Sequence, residues 1–67
     1  MADAQAQENL LRAVRGLPMI YREVIVLLLE GLEYREIAEV VGITESNVGV
    51  RLNRARKQLK TLLEETS

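Results

Sequence analysis

Between Val48 and Lys60 the chain carries Arg51, Arg54, Arg56, Lys57 and Lys60 and no acidic residue. Guanidinium and ammonium groups gathered on one short segment suit phosphate oxygens, which accept charge-assisted hydrogen bonds from them. Ser46 and Asn47 stand just ahead of these cations and Asn53 stands among them. Hydroxyl and amide groups of that kind donate to and accept from base edges. The charge is unevenly distributed: residues 1–40 hold four Arg against seven Asp or Glu, residues 41–67 hold five basic against three acidic, and the formal net charge is −1. A general polyelectrolyte binder would be basic throughout, so an acidic body with one basic segment points to a single element facing nucleic acid. A solvated helix end explains Lys57 and Lys60 equally well, because cations favour a C-terminal dipole. It explains Arg51 and Arg54 less well, since positive charge near a helix start opposes that dipole.

The residues that must position this segment precede it. In the stretch YREIAEVVGITESNVGVRLN, from Tyr34 to Asn53, Ile37, Ala38 and Val41 fall on one helical face. Gly42 then supplies a residue able to take a left-handed conformation and end the helix. Ile43 follows as an apolar plug, Thr44 offers a hydroxyl N-cap, Glu45 puts negative charge in the next first turn, and Val48, Leu52 and Ala55 resume the apolar periodicity. Helix, short turn and helix, with small Ala38 where they meet at roughly 90–120°, is the order a DNA-reading helix-turn-helix requires. The same punctuation also fits one corner of an ordinary small bundle.

The rest of the chain reads as helix. A first helix is expected from Asp3, a candidate cap, to Arg15, with Leu10, Leu11 and Val14 as its apolar stripe and Gly16 as its stop. A second, with Pro18 in its first turn, runs to about Glu30 and is halted by Gly31. Two more follow, about Tyr34–Val41 and about Glu45–Glu64. With no strand signal, the fold expected is all-α: one four-helix domain over residues 1–67 with a C-terminal helix-turn-helix at about 34–54. On the second helix, Leu17, Ile20, Tyr21, Val24, Leu27 and Leu28 share a core-facing arc, whereas Met19, Val26 and Leu29 fall on the opposite side. Those three are either covered by other helices or form a patch for a protein partner.

Composition removes many functions. At 67 residues the chain buries only about 60 % of its unfolded surface. It contains no Cys and no His, so disulfides, thiolate or imidazole metal sites and histidine bases are excluded. No phosphate-binding glycine loop or nucleophile elbow occurs, no cofactor is expected, and the chain is not expected to be an enzyme. The longest apolar run, Val24–Leu29, is far short of the ~20 residues that cross a bilayer, and no signal-peptide pattern is present; the expected location is the cytoplasm.

On the last helix Val48, Leu52, Ala55, Leu59, Leu62 and Leu63 point inward, and Ser46, Val50, Asn53, Arg54, Lys57 and Lys60 outward. Gly49 and Arg56 occupy one flank and Arg51 the other. Gly49 costs up to about 1 kcal/mol in a helix interior relative to Ala, and an outward Val50 gains little from water. Arg51 beside an apolar face calls for a partner, and an ion pair with Glu36 of the preceding helix is the expectation.

Three linked motifs, LP-x-x-YREV-x-V-x-L, EGL-x-Y-x-EIAEVVGI and V-x-x-RL-x-RAR-x-x-L, together resemble region 4 of bacterial RNA polymerase sigma factors, specifically the extracytoplasmic-function group, from about Leu10 to Leu63. The resemblance implies a four-helix domain whose last helix reads the −35 promoter element and whose other surfaces dock on the flap of the polymerase β subunit, with anti-sigma factors occupying overlapping surfaces. It places the domain in the bacterial cytoplasm, at the nucleoid. Two departures stand out. Gly49 and Val50 occupy positions where many relatives carry a basic or small polar pair. A region-2 segment that melts the −10 element is also missing from these residues, as expected of an excised fragment or a standalone regulator.

With the last helix entering a major groove by its N-terminal turns, Ser46, Asn47, Val50, Asn53 and Arg54 come within reach of bases, and Gly49 lets the helix backbone approach. Asn53 suits adenine, Val50 a thymine methyl, and Arg54 a guanine or a phosphate. Arg35, Thr44, Arg56 and Lys57 would hold phosphates. Five basic residues, all on phosphates, give a log–log salt slope of about −4.5 at most, so stand-alone affinity is expected to be weak. Two alternatives remain open at this stage: a sigma-like domain that sequesters an anti-sigma factor, and the DNA-binding domain of a response regulator, which usually lacks the LP-x-x-YREV helix.

Overall fold

A computed structural model describes the backbone of residues 2–66 and the side chains of residues 5–65. Four helices follow one another: α1 (Ala2–Arg15), α2 (Met19–Leu29), α3 (Tyr34–Val41) and α4 (Glu45–Thr66). The cap expected at Asp3 lies outside the described side chains. Each junction is made by a residue whose chemistry forces it. Pro18 sits just before α2 rather than inside its first turn, in extended conformation, and its carbonyl accepts the Tyr21 and Arg22 N–H groups. Gly31 (φ 99°) closes α2 in a Schellman arrangement, with Leu32 N–H bonded to the Leu27 carbonyl and Gly31 N–H to that of Leu28.

Gly42 (φ 83°) ends α3, and Ile43 N–H reaches back to the Ala38 carbonyl at 3.0 Å, which folds Ile43 under the turn against the core. Asn47 N–H then donates to Thr44 Oγ1 at 3.1 Å, the expected hydroxyl cap of α4. The start of α3 holds a further device. Glu33 N–H donates to Glu36 Oε1 at 2.9 Å, half of a capping box. Gly16 acts differently from the other stops. It stops α1 without a positive φ, and a Cβ there would lie 3.5 Å from Leu62 Cδ1, an ordinary contact distance where the end of α1 meets α4.

The other three helices pack around α4, whose Val48, Leu52 and Ala55 are completely buried. Val24 of α2 and Ile37 of α3 meet them, with Val14, Leu17, Ile25 and Ala38 completing the core. The arc expected on α2 is displaced: Ile20 is 50 % exposed and Ile25 is buried. Ile20 stands in the first turn of α2, whereas Leu27, on the same side near the other end of the helix, packs on the core, so that side is covered at one end only. Tyr21, Leu27 and Leu28 pack on the core as expected. No helix among the described residues is long and apolar enough to cross a membrane.

Candidate nucleic-acid interface

The turn from Gly42 to Thr44 sets α4 across α3 with its first turns free of the core on their outer side. Because Val48, Leu52 and Ala55 anchor one face, the 3.6-residue period drives Ser46, Val50, Asn53, Arg54 and Lys57 to the other, and all five are exposed. Asn47, Arg35, Thr44 and Arg56 are exposed as well. The helix therefore presents a strip of hydroxyl, amide, methyl and guanidinium groups with no acidic residue from Ser46 to Lys60. Thr44 Oγ1 accepts a backbone N–H, which leaves its hydroxyl hydrogen to donate outward.

The two flanks of the strip are set by different helices, and one of them corrects the sequence expectation. Arg51 does not pair with Glu36. Its Nη1 lies 3.5 Å from Oε1 of Glu23, on α2, while Glu36 is occupied in capping α3. Spacing within the helix-turn-helix suggested a partner on α3, but the Arg51 flank of α4 turns toward α2. Gly49 faces a neighbour on the other flank. Its missing Cβ points at the Tyr34 ring, with Cε2 at 3.8 Å and nothing else within 4 Å, and Gly49 is only partly exposed. Gly49 thus keeps the flank position expected of it, with the edge of an aromatic ring of its own chain alongside. Tyr34, half-exposed at the start of α3, borders the strip on that side and was not among the residues expected there.

A second surface lies between α2 and α3, an open groove of about 510 Å³ lined by Met19, Arg22, Glu23, Val26, Leu27, Val40 and Val41. Met19 is 66 % exposed, Val26 37 % and Leu29 58 %, so other helices do not cover them. They are not one patch, however: Met19 and Val26 line the groove with Val40, and Leu29 lies outside it.

A family model described as Sigma-70, region 4 matches residues 7–59, most of the chain and all of the helix-turn-helix. The chain belongs to the sigma-70 region 4 family. No curated protein and no solved structure matches it. Membership makes this a DNA-binding, helix-turn-helix domain of the sigma-factor type, acting in transcription initiation together with RNA polymerase; the family is not an enzyme class. In this sigma region 4 domain the matched segment includes α4 as far as Leu59 and both residues that flank its exposed strip, Glu23 and Tyr34.

Proposed function

We propose that the domain reads the −35 element of promoters as part of an extracytoplasmic-function type sigma factor in the bacterial cytoplasm. One observation carries this reading: on the first turns of α4, Ser46, Asn47, Val50, Asn53 and Arg54 are all exposed, opposite a fully buried face. A helix anchored in that way enters a major groove as a rigid unit. Asn53 pairs with an adenine edge, Val50 meets a thymine methyl and Arg54 takes a guanine or a phosphate. Arg35, Thr44, Arg56 and Lys57 bind phosphates and set the register. Gly49 is left out of the base-reading set, because its Cβ direction faces the Tyr34 ring and not the outer side of α4.

The α2–α3 groove supports a partner role beside DNA reading. Its apolar floor of Met19, Val26 and Val40 is suited to a hydrophobic segment, for which the polymerase β flap is the proposed occupant and an anti-sigma factor the competing one. The response-regulator alternative gains nothing from the family match. Selection of duplexes from a random pool by the chain tests the reading. Enrichment of a short A·T-containing motif, lost on Asn53→Ala, is expected; an unenriched pool, with the chain still captured by an anti-sigma factor, overturns it in favour of the sequestration role.

A further inference from the structure

Glu23 belongs to two surfaces at once. Its carboxylate stands 3.5 Å from the Arg51 guanidinium, and the same side chain lines the α2–α3 groove beside Met19 and Val26. Arg51 is a residue of the reading helix, next to exposed Val50 and three positions before exposed Arg54. DNA strands run along both flanks of a helix seated in a major groove, so a free arginine at this position has the length and the charge to reach a phosphate. Paired, it is turned back onto α2 and is only 27 % exposed.

We infer that Glu23 is a positioning residue for DNA binding: through its ion pair it holds Arg51 on α2 and withholds that cation from the phosphate backbone. The inference rests on the DNA-facing role of α4. The number of phosphates the domain neutralises is then set by an acidic residue on another helix, not by the basic count of α4 alone. Since Glu23 also faces the groove, a partner cation that takes this carboxylate releases Arg51 to the DNA. Docking in the groove and grip on DNA thereby share one charge, and Glu23→Gln imitates the released state.

The test is the salt dependence of binding of the 67-residue chain to a mixed-sequence duplex of about 20 bp, where each phosphate neutralised contributes about 0.9 to the log–log slope. Arg51→Gln is expected to leave the slope unchanged. Glu23→Gln is expected to steepen it by about 0.9, a gain that disappears in the Glu23→Gln/Arg51→Gln double variant. Glu39→Gln, the same charge change on the exposed side of α3, controls for general electrostatics. The swap Glu23→Arg/Arg51→Glu restores the pair at constant net charge and is expected to keep the parent slope; it also serves if Glu23→Gln melts too early to titrate. A flatter slope in Arg51→Gln or in the swap, or a Glu23→Gln slope no steeper than that of Glu39→Gln, overturns the inference. A parent chain that binds no duplex even at low salt refutes the DNA-facing role itself, before any variant is made, and the inference falls with it.

Discussion

Val50 is the side chain that separates a reading helix from one that has lost its role. It is 46 % exposed at the middle of the strip, where the outward part of an aliphatic group gains little from water. A thymine methyl would give it a partner. Val50→Ser is therefore expected to relax preference at one A·T position by about 1 kcal/mol in competition binding, with the salt slope unchanged. Gly49, its neighbour, leads to the opposite expectation. A methyl group there meets the Tyr34 ring at ordinary contact distance, so Gly49→Ala should raise stability in denaturant unfolding by up to about 1 kcal/mol and leave DNA affinity within about threefold. A large affinity loss would return Gly49 to the DNA surface. Both residues were visible in the sequence as oddities of one helix. What the sequence could not give was where the flanks of that helix point, because Arg51 meets Glu23 across 28 positions and no local spacing encodes that approach.

The elements were more legible than their contacts, since the stops are written in single residues with local effects. Gly31 and Gly42 both take positive φ, and Thr44 caps α4 through its own hydroxyl. The capping box at Glu33 was missed because Glu at that position reads as generic surface charge, although Glu36 three residues on completes the pattern. Ile20 was misplaced for a related reason: periodicity gives the direction of a side chain but not whether a neighbour reaches it. The turn between α3 and α4 should respond to two changes by different physics. Thr44→Ala removes an acceptor from the Asn47 N–H and is expected to cost about 1 kcal/mol. Gly42→Ala finds open space but must hold φ near 83°, at a cost of about 1–2 kcal/mol from backbone strain alone. Equal melting temperatures for Gly42→Ala and the parent would show that the turn relaxes.

Taken together, the four helices hold two surfaces on one small core, the strip on α4 and the groove between α2 and α3, and the Glu23–Arg51 ion pair links them. Val24, Ile37, Val48 and Leu52 are completely buried, whereas Met19, Val26 and Val40 of the groove and Ser46, Val50 and Asn53 of the strip are exposed and lie outside that core. Their functions should then separate by mutation. Met19 is the sharpest probe, being two-thirds exposed, in the groove and at the first position of α2, where an acidic residue favours the helix dipole. Met19→Asp is expected to leave thermal stability and duplex affinity close to those of the parent, and to weaken capture by RNA polymerase core at least about tenfold by burying a charge against an apolar partner. Leu29→Lys, equally exposed in kind but outside the groove, should leave that capture unchanged. Equal losses in the two variants would mean that the partner covers the whole outer face of α2, and the groove would cease to define the docking site.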